Sequence, residues 1–244
     1  ANRTRFASQG IELLEDRRVL SQTVGLFVND AGSYDGYTLW GPLRESGTYL
    51  VNNAGNLVHK WESEYRPNAN YLLEDGTLLR TAQLDNLSWG AGGSSGRVEQ
   101  LEWESNVIRS FELATNRQLL HHDLAPIMNS DGTLRSVLMI AWEKFTFQES
   151  LTLGRSPTLP TDNNGELWSE MIIEVVPDYE SGVGGEIIWE WHLSDHVTTN
   201  PVANPQLVDI NYQGGIGNSA TLADWAHFNG IDYNPILDQI VISP

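Results

Sequence analysis

From Thr23 onward the chain reads as short apolar runs broken by Gly, Asn and Asp, the texture of strands and tight turns. Thr48-Tyr49-Leu50-Val51 leads through Asn53-Ala54-Gly55-Asn56 to Leu57-Val58-His59-Lys60-Trp61. That spacing predicts a hairpin. Tyr71-Leu72-Leu73, the turn Glu74-Asp75-Gly76 and Thr77-Leu78-Leu79-Arg80 predict a second one. The pair then recurs at 96–101 with 107–111, followed by 124–128 with 136–142. A third copy starts at 171–176 and returns at 186–191. After a long insertion it finishes with 230–233 and 237–242. An aromatic closes the first hairpin of every copy: Trp61, Phe111 and Trp191.

Degenerate repeats of four short strands predict an all-β chain, specifically a β-propeller of four-stranded blades that bury their faces against one another. A β-sandwich with chance likeness between hairpins is the alternative. Residues 23–244 hold about three blades, with part of a fourth from Thr23 to Pro42, whereas closed propellers use roughly four to eight. The expectation is therefore a partial propeller. The apolar end 239–244 would otherwise leave an open sheet edge, so the missing blades are expected from a continuation of the chain or from another chain. Residues 1–22 read as a basic N-terminal arm carrying Arg3, Arg5, Arg17 and Arg18, with a short helix at 11–20. The arm resembles a "LEDRRVLS" stretch near the start of some large bacterial surface proteins.

Charge narrows the function classes. Lys and Arg number 14 against 32 Asp and Glu, a formal net charge of -18 over 244 residues. Such a surface repels phosphate backbones and anionic lipid, which argues against nucleic-acid partners. At 40% hydrophobic residues the chain is too apolar for disorder. No apolar run approaches the roughly 20 residues of a membrane span. There is no cysteine, so disulfides, thiolate metal sites and a cysteine nucleophile are excluded.

The repeat register points to the candidate chemistry. With the second hairpins aligned, Asn68, His122 and His227 fall just before the inner strand of successive copies, where propeller loops surround a central channel. His121-His122-Asp123 puts two imidazoles and a carboxylate in three positions, and 224–229 supplies Asp224, Trp225, His227 and Asn229. A neighbouring carboxylate can hold a histidine tautomer or raise its pKa, and aromatic walls suit an aryl ligand. His59 and His192 read as ordinary strand residues, while His196 beside Asp195 stays open. The Gly-rich run 91–96 reads as a loop between blades, since no helix follows to hold a phosphate. Residues 161–166 lack calcium-loop spacing. Two histidines with acidic neighbours could bind zinc, but no His-Glu-x-x-His motif is present, and neither a metal nor another cofactor is assigned. No serine nucleophile elbow occurs.

The run 121–126 followed by Val137-Leu138-Met139-Ile140-Ala141-Trp142-Glu143 resembles the bacterial arylsulfotransferase family. So do Asp224-Trp225-Ala226-His227-Phe228-Asn229-Gly230 and the strand motifs around Trp61, Tyr71 and Gly185–His192. The resemblance implies a six-bladed propeller in the periplasm or at the cell surface. It implies sulfuryl transfer from an aryl sulfate ester to a phenol through a sulfated histidine. His122 and His227 match the family's channel histidines, which would neutralise the sulfuryl oxygens. His121, Asp123, Trp225 and Asn229 would flank them as substrate contacts. The family's channel arginine and nucleophilic histidine have no counterpart in this sequence, which corresponds to an N-terminal portion. Two other readings remain. One is a non-catalytic propeller acting as an extracellular surface or assembly module, with the arm contacting another copy in a homo-oligomer. The other is a different propeller enzyme, such as a quinone-dependent dehydrogenase or a lyase.

Overall fold

The computed structural model describes residues 26, 28–85, 89, 91–159, 164–212 and 223–244. The basic arm, its expected helix and residues 161–163 lie outside them. The described chain is all-β apart from short helical turns. Strands β1 (Tyr37–Trp40), β2 (Thr48–Asn52) and β3 (Leu57–Trp61) form one antiparallel sheet in that order. Four strands form the next, β4 (Asn70–Leu72), β5 (Leu78–Gln83), β6 (Gly96–Leu101) and β7 (Val107–Glu112), again in chain order. The third sheet is β8 (Gln118–Met128), β9 (Leu134–Phe145), β10 (Leu167–Pro177) and β11 (Gly185–His192).

The connection from β9 to β10 contains α1 (Phe147–Thr152), which the strand pattern does not anticipate. It is started by a capping box in which Thr146 and Glu149 satisfy each other's backbone N–H groups. The long insertion holds a 3-10 helix (Leu193–His196) and a two-residue parallel pair, β12 (Val197–Thr198) with β13 (Val208–Asp209). The hairpin β14 (Gly230–Asn234) and β15 (Gln239–Ser243) ends the chain. No helix among the described residues is long and apolar enough to cross a membrane.

The hairpins are grouped differently from the repeat unit drawn on the sequence. Each four-stranded sheet joins the second hairpin of one copy to the first hairpin of the next. Connection length does not decide this grouping: the links inside the sheets, 84–95 from β5 to β6 and 146–166 from β9 to β10, are longer than the links 62–69 and 113–117 between sheets, yet they join antiparallel neighbours. Trp61, Phe111 and Trp191 therefore mark the outermost strand of their sheets, β3, β7 and β11.

The sheets pack face to face in chain order. Leu50, Trp61, Leu78 and Leu101 fill the space between the first two. Leu79, Val98, Leu124, Met139 and Ile173 fill the next. Leu138, Ile140, Ile172, Phe228 and Ile231 fill the space between the third sheet and β14–β15. Strand β9 shows the logic. Its odd residues Val137, Met139 and Ala141 join one core, and its even residues Leu138 and Ile140 join the other. A strand covered on both faces needs apolar side chains at both parities, which explains the unbroken run 137–142. The stack is an open series; among the described residues it does not close into a ring.

Leu124 is fully buried between the second and third sheets. Leu124→Ala is expected to lower stability by about 2–5 kcal/mol, read from the urea unfolding midpoint, because a rigid sheet interface cannot collapse onto the cavity.

Candidate functional site: a histidine cluster held by buried carboxyls

The inner strand β8 is interrupted where the site lies. Leu120 pairs with Ala141 and Leu124 with Met139, so 121–123 stand opposite Ile140 alone. This bulge re-aims its side chains away from the ladder. At its crest His122 has φ 50°, and His227 has φ 45°. Of the other two non-glycine residues with positive φ among the described residues, Ser105 lies in the β6–β7 turn and Asp238 in the β14–β15 turn. The left-handed backbone at the two histidines is therefore not a turn requirement, and strained residues of this kind concentrate at sites.

The His122 N–H donates to Gly93 O at 2.7 Å. Its ring lies directly over Gly93, whose φ is 79°, and a Cβ there would sit 2.0 Å from the ring. The Asn68 amide donates to the carbonyls of Gly93 and Ser94 at 2.8 and 3.1 Å, fixing the same loop. The Gly-rich run is therefore not a linker between sheets. It joins β5 to β6 within one sheet and forms the seat of His122.

Three imidazoles converge here. The His122 and His227 ring centroids are 4.8 Å apart, edge to face. The His121 ring stacks on the fully buried Trp142 at 4.0 Å and 8°. His121 Nδ1 and His122 Nδ1 are 2.9 Å apart, and His121 Nε2 is 2.8 Å from Glu170 Oε2. The other Glu170 oxygen accepts the Phe228 N–H at 2.9 Å. In parallel, His227 Nδ1 is 2.5 Å from Asp224 Oδ2, while Asp224 Oδ1 accepts the Trp142 indole N–H at 3.1 Å. Each of the two imidazole arms thus ends on a buried acid.

Their electrostatics diverge. Burial pushes His122 down to about 4, helped by His121 and His227. Burial likewise lowers His121 and raises Glu170 well above the carboxylate range, Glu170 being further raised by Asp224. The His121–Glu170 contact is therefore a neutral hydrogen bond, not an ion pair. His227 moves the other way, raised first by its hydrogen bond to Asp224, with the Asn229 side chain adding to the effect. The two neighbouring imidazoles are shifted in opposite directions, the separation of pKa values from which acid and base roles are read.

The remaining sequence candidates take other positions. Asp123 faces away from the imidazoles: it accepts the Tyr71 hydroxyl at 2.8 Å and the Ile231 N–H at 3.2 Å, tying together β4, β8 and β14. Trp225 packs against the core beside β14, with the Arg155 guanidinium 5.8 Å from its ring. Asn229 lies on the surface, its amide donating to His227 O at 3.3 Å. His59 stacks on Trp103, His196 stacks on Trp191, and His192 bonds Glu143 and Glu190, all outside the cluster.

Glu170, Trp142 and Gly93 are site residues that motif reading passes over as chemistry. A lone glutamate inside the apolar run 167–173 is the signal for the first. Among the described residues no group of three or more His, Cys, Asp or Glu side chains is arranged to hold a metal ion.

Gly93→Ala is expected to displace the His122 ring, read as a changed His122–His227 cross-peak pattern in NMR with the fold retained. Acid should destabilise the protein between the ordinary imidazole pKa of about 6.5 and about 4. In that window unfolded His121 and His122 bind protons that the folded state refuses, so the urea midpoint should fall as pH drops through it. The chain matches no protein-family model, and a search of curated proteins finds no match.

Proposed function

We propose that the cluster is the anion-binding part of a sulfuryl-transfer site of arylsulfotransferase type, carried on a propeller-like series of blades. The observation that carries this reading is the pair of imidazoles 4.8 Å apart, each with its Nδ1 held by the protein. Sulfuryl transfer, like phosphoryl transfer, spreads charge over equatorial oxygens. Oriented N–H donors beside buried aromatic walls stabilise that charge without reorganising. His227, charged through Asp224, supplies a cationic donor. His122 supplies a neutral one through Nε2, which has no protein partner among the described residues.

In this reaction the aryl oxygen–sulfur bond breaks as a nitrogen–sulfur bond forms to a histidine, and the phenolate leaves. An acceptor phenol then attacks sulfur, loses its proton and frees the histidine. The nucleophile of the first step is not assigned to a residue of this chain. The acidic net charge makes a locally positive site necessary, and His227 is the group that answers this need. The periplasmic or extracellular setting, and the aryl sulfate and phenol as partners, rest on the sequence resemblance.

The alternative is a non-catalytic surface or assembly module. It draws on a cleft of about 530 Å³ between the third sheet and β14–β15, lined by Leu138 and Ile172 together with Trp189 and Ile240. 4-Nitrophenyl sulfate with phenol as acceptor separates the two. Binding should shift the His122 and His227 ring resonances, and His227→Ala should remove the shift. Where transfer is measurable, loss of either donor should cost about 10²–10³ in rate. Unchanged binding and turnover in both His122→Ala and His227→Ala would overturn the proposal.

A further inference from the structure

We propose that Glu170 is a positioning residue that, by staying protonated, fixes His122 as the Nε2–H tautomer through His121. The chain of contacts is continuous: Glu170 Oε2 to His121 Nε2 at 2.8 Å, then His121 Nδ1 to His122 Nδ1 at 2.9 Å. Each contact needs one proton, and a neutral imidazole carries only one. The protons must therefore be ordered together. If Glu170 donates to His121 Nε2, His121 donates from Nδ1, His122 Nδ1 accepts, and the His122 proton sits on Nε2. If Glu170 is ionised, every hydrogen bond reverses and His122 Nε2 carries a lone pair.

Geometry selects the first arrangement. Glu170 and His121 side chains are completely buried. The groups facing Glu170 are His121 of β8, Trp142 of β9, and Asp224, His227 and the Phe228 N–H of the segment before β14. The Phe228 N–H, the Trp142 indole and His227 favour the carboxylate, but the indole also donates to Asp224 and His227 is already paired with Asp224. A second carboxylate beside Asp224 would be buried without a counter-charge, which is costlier than keeping the proton.

The consequence deepens the sulfuryl-transfer reading, on which its use depends: a protonated Glu170 makes His122 a donor to a sulfuryl oxygen. Raising the pH ionises the relay at its open end. The Nε2 proton leaves His122, the His121 Nδ1 proton moves to His122 Nδ1, and the Glu170 proton moves to His121 Nε2. The negative charge ends on Glu170, and His122 changes from donor to acceptor.

Nitrogen-15 NMR of histidine-labelled protein tests this without any turnover, so failure here is separate from failure of the sulfuryl-transfer reading. At neutral pH wild type should show His122 Nδ1 as the unprotonated and Nε2 as the protonated nitrogen. At higher pH the assignment should invert, with His121 inverting at the same pH. Glu170→Gln keeps both hydrogen bonds, its carbonyl accepting from Phe228 and its amide donating to His121. It should hold the neutral-pH pattern at all higher pH. A His122 that already bears its proton on Nδ1 at neutral pH overturns the proposal, as does an inversion that persists in Glu170→Gln. If that variant does not fold, wild type decides alone: separate inversion of His121 and His122 overturns the relay.

Discussion

The stacking of this molecule follows from central strands, β9 and β10, that are apolar and buried on both faces. A four-stranded sheet with side chains of both parities buried cannot stand alone, and each must be covered by the sheet before it and the sheet after it. β9 and β10 meet that demand most completely, with cores on either side drawing on alternate residues. Serial stacking brings each inner strand, β4, β8 and β14, against its neighbour. Asp123 makes the link explicit by joining Tyr71 on β4 to Ile231 on β14.

The histidine cluster is built where that order is broken. The bulge in β8 leaves backbone groups without ladder partners. The Gly93 carbonyl takes one of them, the His122 N–H. Only a residue without a Cβ allows the imidazole to lie over the loop. The strain of two left-handed histidines is held by hydrogen bonds reaching in from neighbouring sheets and from the segment 224–229. Hydrogen bonds of this kind preorganise a site, which the electrostatic stabilisation proposed above requires.

Burial does two opposite things within a few ångströms. Asp224 shares its charge with His227 and with the Trp142 indole, so the imidazolium is favoured. Glu170 faces a stacked, fully buried His121 and a like charge, so its neutral form is favoured. Two acids and three imidazoles thereby divide into a charged pair and a neutral chain. Trp142 touches both arms, stacking on His121 and donating its indole N–H to Asp224.

The sequence by itself determined the strand content, the two hairpins per repeat and the pairing of His122 with His227, because period-two patterning, turn residues and repeat register are local properties. It did not determine which hairpins share a sheet, since the longer links 84–95 and 146–166 join strands of one sheet while the shorter links 62–69 and 113–117 pass between sheets. It also implied Asp123 as a histidine partner by adjacency, yet a strand points neighbours to opposite sides, and Asp123 turned to bind Tyr71 and Ile231. The acids that govern the imidazoles are Asp224, close to His227 in sequence, and Glu170, far from His121. Only the packing of β10 beside β9 and the segment before β14 decided the latter, because a carboxyl acquires its proton from the surroundings it is buried in and not from its place in the chain.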